Sequence, residues 1–408
     1  MMDFAPKLRD VEAFPVEHQG QRCIVLRDPA GYTDAVVLLP PGLLEIVSLF
    51  DGRHSMAEIQ AALGRRFGEP MPREPIERAA RSLDEHGFLD SAGFASRRTA
   101  IDAAFLARPT RPAAHAGGAY PGAAADVHAA FDALFTAPDG PGPVDGASSG
   151  ATAVRGVIAP HIDFQRGGPA YAWAYRDVAE RSDADLFVIF GTCHAGMAHP
   201  FALTGKDYES PLGPVAVDRA FVESLAARAR QDCFGAELAH RVEHSIEFQA
   251  VFLRYLFDGR RDIAIVPVLA SFAHEALARG RRPEDDPRVP RFLDALAETI
   301  AASGRRVALV AGADLAHVGP RFGDPEPVTP LELARIADED RAMLAAVEAG
   351  DPAAFFESVA GDDDRRRICG LSPIWMLLAA LGGGRGELKR YAQWPDPQGV
   401  VTFASVIY

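Results

Sequence analysis

Four apolar runs of strand length, each closing on a turn of chemically active residues, restrict this chain more than any other feature. Residues 155–164 read RGVIAPHIDF, and residues 185–194, 262–271 and 306–317 read DLFVIFGTCH, DIAIVPVLAS and RVALVAGADLAH. Aliphatic and β-branched runs with little polar alternation are typical of strands buried on both faces. Helical patterns separate them at residues 168–182, 218–231, 245–257 and roughly 290–303, with more at 332–349 and 372–381 and a closing strand pair within 391–408. Strands alternating with helices predict a layered α/β domain with a mostly parallel sheet and flanking helices. Ligands of such sheets sit outside the carboxyl ends of the strands. Three of the four runs end in a histidine, so His161, His194 and His317 are expected around one crevice.

A length of 408 residues suggests two or three domains. Residues 1–95 read as a small separate module, 96–107 as a linker without periodicity, and 108–408 as the α/β domain. Within the module, strands at 23–26 and 35–39 flank Asp28-Pro-Ala-Gly as a hairpin, and Ser55-Met-Ala-Glu58 is a capping box that opens a helix. Residues 138–150 (PDGPGPVDGASSG) read as a mobile surface loop. The excess of 56 acidic over 42 basic residues gives a net charge of −14, which repels phosphate backbones, so no nucleic-acid partner is expected. Four scattered cysteines without a CxxC pair read as reduced thiols. With no leader-like or lipidation signal at the start and no apolar run of membrane length, a cytoplasmic protein without membrane partners is expected.

His161, His194, the Glu243-His244 pair, Asp314-x-x-His317 and Cys369 carry the candidate chemistry. A lone strand-end histidine is more often a hydrogen-bonded structural residue than a ligand. Several at equivalent positions favour a metal centre, and imidazole with thiolate or carboxylate suits iron(II), zinc or copper rather than magnesium or calcium. Ser372 with Pro373 reads as the start of a helix, which sets the Cys369 thiol beside a helix N-terminus where its ionised form is favoured. Cys23 and Cys233 read as small buried apolar groups, while Cys193 beside His194 stays ambiguous. His240-Arg-Val-Glu243-His244 fits the inverted zinc-peptidase pattern H-x-x-E-H, a lesser alternative that requires both histidines on one helix face.

In order along residues 108–408, Ala116-Gly-Gly-Ala-Tyr-Pro, Ala159-Pro-His161, Gly191-Thr-Cys-His194, Ser210-Pro-Leu-Gly, Glu243-His-Ser-Ile-Glu247, Asp314-x-x-His317 and Cys369-Gly-x-x-Pro-Ile resemble the Memo family, also called AmmeMemoRadiSam system protein B. That family is similar in fold to the class III extradiol dioxygenases, which are non-heme iron(II) enzymes. The resemblance implies His161, His194 and Cys369 as metal ligands, with iron ahead of copper or zinc. It places Asp314, His317 and His244 in the same pocket as catalytic candidates and gives Glu243 an orienting role. Ile162-Asp163-Phe164 departs from the family's usual Ala-Gly-Tyr and adds Asp163 near the presumed ion. Residues 1–95 resemble PqqD-like, winged-helix-type modules that hold peptides in modification systems. Two functions follow as expectations: oxidoreductase or dioxygenase-type chemistry on a small molecule or peptide, and catalytically silent peptide binding beside a radical-SAM or peptide-modification partner.

Overall fold

Residues 5–144 and 153–408 are described by a computed structural model. The chain divides into two units, residues 1–107 with 320–323 and residues 108–319 with 324–408. In the first, β1 (Glu12–His18), β2 (Gln21–Arg27) and β3 (Val36–Leu39) form an antiparallel meander. The β2–β3 hairpin is the one expected across Asp28-Pro-Ala-Gly. Strand β1 is an addition, hidden in the sequence by Pro15, which is tolerated because β1 lies at the sheet edge. Helices Pro41–Val47, Met56–Phe67, Arg73–Glu85 and Ala92–Ala107 follow. Ser55 and Glu58 make the capping box as read. Leu26, Ile59, Leu63, Ile76, Leu83 and Phe88 close the core. The element order, three strands and then four helices, establishes a small α+β unit and no more.

Residues 96–107 are a correction: they are the greater part of helix Ala92–Ala107 rather than a linker. Alanine-rich sequence sustains the helix by propensity. Its two buried aromatics, Phe94 and Phe105, lie three turns apart on one side, too sparse an apolar pattern to show as periodicity.

The second unit holds β4 (Thr110–Arg111), β5 (Gly156–Ala159), β6 (Leu186–Thr192), β7 (Phe201–Leu203), β8 (Asp207–Tyr208), β9 (Ala216–Val217), β10 (Ala264–Ala270), β11 (Val307–Gly312), β12 (His317–Val318), β13 (Glu387–Asp396) and β14 (Gly399–Ile407). Nine of these form one sheet in the order β12-β14-β5-β11-β6-β10-β7, with β13 added on β14 and β9 on β10. The four apolar runs are its central strands, and β5, β11, β6 and β10 pair in parallel. The closing strand β14 runs antiparallel to β5 and is buried along its whole length, as a strand inside a sheet must be.

Period-2 alternation along β6 sorts the helices onto two faces. Phe187 stacks on Phe257 of helix His244–Phe257, and Gly191 faces Ile246 of the same helix. Thr192 points the other way and donates to the Cys369 carbonyl at 3.0 Å, ahead of helix Leu371–Leu381. Two helix layers therefore sandwich the sheet, and both reach the strand ends.

Local chemistry shifts two expected boundaries. The helix expected from residue 168 begins at Phe164, because Asp163 caps it by accepting from the Arg166 N–H at 3.1 Å. A Cβ on Gly168 would lie 2.3 Å from Leu134, so the glycine is there for close packing. Ser372 is not the cap of the helix it opens: Gly370 is, and the Ser372 hydroxyl instead accepts from the Phe272 and Ala273 N–H groups. Of the loop read over 138–150, residues 145–150 lie outside the described residues. The part before them is fastened, with Trp173 donating to the Asp139 carbonyl at 2.8 Å and Arg390 paired with its carboxylate at 2.5 Å. Among the described residues no helix is long and apolar enough to cross a membrane, and all four cysteines are unpaired.

Candidate metal centre

Each of three adjacent central strands places a polar residue two positions past its last strand residue: His161 after β5, Asp314 after β11 and His194 after β6. The fourth, β10, has Phe272 at that position, which explains why its run lacks a histidine. Helix His244–Phe257 brings Glu243 and His244 to the same ends from one face, and the segment before helix Leu371–Leu381 brings Cys369 from the other. Close approach of the first helix needs missing side chains. A Cβ on Gly312 would lie 2.4 Å from the Ser245 carbonyl oxygen and 2.9 Å from Gln249 Nε2. Gly312→Ala is accordingly expected to lower stability by about 1–3 kcal/mol, seen as a lower urea midpoint at unchanged slope. An unchanged midpoint would show that the helix moves aside freely.

The imidazoles are fixed by their far nitrogens. His161 Nδ1 meets the Gly312 carbonyl at 2.9 Å, which turns Nε2 to within 3.2 Å of Cys369 Sγ. His194 Nδ1 meets Glu243 Oε1 at 3.0 Å, while its backbone N–H donates to Oε2 at 2.8 Å. This is the arrangement by which metal-binding histidines are oriented and their tautomers set. Ligand atoms of His161, His194 and Cys369 all lie within 4.8 Å of one another. Bonds of about 2.0–2.3 Å to one ion would bring donors to roughly 3–4 Å separation, so the residues fit a single ion after a small contraction. A second grouping, His194 with Glu243 and His244, is as tight. Its carboxylate is already committed, since Oε1 also accepts from the Ser245 N–H at 3.0 Å, and it serves as the orienting element.

Burial sets the protonation states. It pushes His161 down to about 3, helped by His194, and keeps the ring neutral and able to bind. His244 is held well below its ordinary value by burial and by His194, with which it stacks at 4.6 Å and 15°. Burial also takes His317 down to about 4 and raises Asp314 to about 6, although Asp314 accepts from the His161 N–H at 2.9 Å. Burial resists the charge on Glu243, but the imidazole and N–H of His194 outweigh it and hold the carboxyl well below the usual range. Cys369 is a correction. The expected ionised thiol at a helix N-terminus is instead pushed well above its ordinary value by burial and by the nearby Asp314 carboxylate. The helix N-terminus does not compensate for partial burial beside a carboxylate.

Asp163 is spent on its helix cap and on Arg166 Nε at 2.7 Å. Cys193 is buried, its thiol pushed up to about 12 by burial and Glu243, and it joins no ligand group among the described residues. His240 sits in a separate short 3-10 turn, Glu237–Arg241, with Nδ1 on the Tyr208 hydroxyl and Nε2 on the Ala202 carbonyl, each at 3.0 Å. Both nitrogens are engaged and the ring is off the helix that carries His244, which removes the basis of the zinc-peptidase reading.

A buried network behind Glu243 is absent from the sequence reading. Arg111 donates to the carbonyls of His240 at 2.9 Å and Glu243 at 2.8 Å and pairs with Glu247. Glu247 also accepts from the Tyr120 hydroxyl at 2.5 Å and the His115 N–H at 3.0 Å. Buried Gln249 joins helix to strand by donating to the Pro160 carbonyl at 2.8 Å. Glu247 stood in the Glu-His-Ser-Ile-Glu box; a charge at that helical spacing inside an apolar stretch was the available sign that a buried cation must answer it.

Comparison with known proteins follows the same residues. A family model described as Memo-like protein matches residues 111–407. A MEMO1 family protein of Aquifex aeolicus is 26% identical over 408 residues, 99% of both chains. One of Aeropyrum pernix is 31% identical over 298 residues, 71% of this chain and 94% of that relative. One of Methanosarcina barkeri is 29% identical over 263 residues, 62% of this chain and 86% of that relative.

Proposed function

This chain belongs to the Memo-like protein family, and from that premise we propose that His161, His194 and Cys369 hold one iron(II) ion for oxidoreductase, dioxygenase-type chemistry on a small molecule or peptide. What carries the reading is the pairing of two imidazoles, each locked through Nδ1, with a sulfur 3.2 Å from one of them, all delivered from separate parts of the chain. Three protein donors leave coordination positions open, and a bound ion would supply Lewis acidity and redox capacity there. The donor set alone also suits copper or zinc; iron rests on the likeness to non-heme iron enzymes.

The chain's own groups have separable tasks. Glu243 orients His194 and takes the Ser245 N–H, so it sets ligand geometry rather than meeting substrate. His244, neutral, with 30% of its side chain accessible and stacked on His194, is placed to accept a hydrogen bond from a substrate arriving from solvent. His317, also neutral, and buried Asp314 lie beside His161. Metal content after anaerobic purification tests the proposal. The wild-type chain is expected to carry close to one iron per chain, and His161→Ala with Cys369→Ala close to none. Equal iron in both ends the reading.

A further inference from the structure

The run Gly361-Asp-Asp-Asp-Arg-Arg-Arg-Ile-Cys369 leads directly into the candidate thiolate, and Asp363, Asp364 and Arg367 in it have φ of 54°, 50° and 53°. Left-handed backbone is unfavourable for residues with a Cβ, and three such positions in five residues persist only where surrounding contacts over-determine them. The contacts are specific. Arg365 reaches Glu339 at 2.6 Å, buried Arg366 pairs with Asp340, and Asp364 accepts from the Ile368 N–H at 2.7 Å. Arg367 forms a fork on Asp324 at 2.6 and 3.0 Å.

The held loop grips His317 from both sides. The Arg366 carbonyl accepts from the His317 N–H at 2.6 Å, and the Arg367 guanidinium donates to the His317 carbonyl at 3.1 Å. Two residues on, Cys369 lies 3.8 Å from the Asp314 carbonyl, which also accepts from the Gly370 N–H at 3.1 Å. The backbones of His317, Asp314 and Cys369 are thus tied into one frame. The Arg367–Asp324 fork is 40% and 29% exposed, and ion pairs in water contribute little to stability. Arg366, by contrast, is almost fully buried and pairs with Asp340 out of reach of solvent.

We infer that the Arg367–Asp324 fork is a positioning clamp for the metal centre, fixing Cys369 relative to His317, an inference that rests on the metal reading above. Cobalt(II) titrated anaerobically into the full chain tests it, with thiolate-to-cobalt absorption and melting temperature both recorded. Arg367→Gly removes the fork while suiting a φ of 53°, Asp324→Asn weakens it from the other side, and Arg367→Lys keeps the charge without the fork. Loss of an orienting contact costs metal sites about 10–100-fold in affinity. Arg367→Gly is expected to bind cobalt at least about tenfold more weakly, with a displaced thiolate band and a nearly unchanged melting temperature; Arg367→Lys should recover part of the loss. Variants matching wild type in affinity and band overturn the clamp and leave the metal reading standing. A melting temperature that collapses with the affinity makes the fork structural and also overturns the clamp. A wild-type chain without a thiolate band overturns the metal reading, and the clamp with it.

Discussion

Glu247→Ala is expected to destabilise the chain by about 3–5 kcal/mol, because it leaves the Arg111 guanidinium buried without its counter-charge. The two side chains are 0% and 2% exposed, so solvent cannot take over. Burial opposes the charge on Arg111, and the Glu247 carboxylate more than offsets it, leaving the guanidinium more firmly protonated than usual. Removing the carboxylate reverses that balance and also strands the Tyr120 hydroxyl and the His115 N–H. Against a typical stability of about 5–15 kcal/mol, the loss puts the fold near its margin. Denaturant unfolding gives the number. A loss below about 1 kcal/mol would mean that water reaches Arg111 and that the network is not dry. The double replacement Arg111→Met with Glu247→Leu should recover part of the loss, since apolar substitutes of similar volume often match a buried pair. It should nevertheless disturb the site, because Arg111 also holds the carbonyls of His240 and Glu243 on either side of the turn that presents His244.

That network marks where reading from residues ran out. The parallel sheet was legible because β5, β6, β10 and β11 are unbroken apolar runs, and a run buried on both faces has few alternatives. The strand-end positions of His161 and His194 followed from the same runs, but on the third run the shared offset falls on Asp314, and His317, read there from the histidine count, instead opens β12. Pairing order did not follow: nothing in the residues says that β14, last in sequence, inserts beside β5. Long-range polar contacts were equally silent. Arg111 and Glu247 are 136 positions apart: Glu247 inside an apolar stretch calls for a buried cation, but nothing along the chain says which one answers.

Metal affinity is expected to climb with pH, roughly tenfold per unit and so about a hundredfold between pH 7 and 9, because a raised thiol must give up its proton to bind. The sign follows from the surroundings of Cys369. Burial and Asp314 push its pKa up, so in this range the free chain carries a thiol, whereas the bound form needs a thiolate. Each ion bound then releases one proton, and acid works against binding. His161 adds nothing to the slope, for burial has pushed it down to about 3 and its ring is neutral throughout. Cys369→Ser separates this origin from general loosening of the fold. A hydroxyl neither ionises there nor binds strongly, so the variant should bind far more weakly and with a flat dependence over the same range. Competition against a chromophoric chelator measures the affinities, and calorimetry in buffers of different ionisation enthalpy counts the protons. A wild-type affinity that does not change from pH 7 to 9 would mean that the sulfur stays protonated beside the ion, and the imidazoles would then have to hold the metal without it.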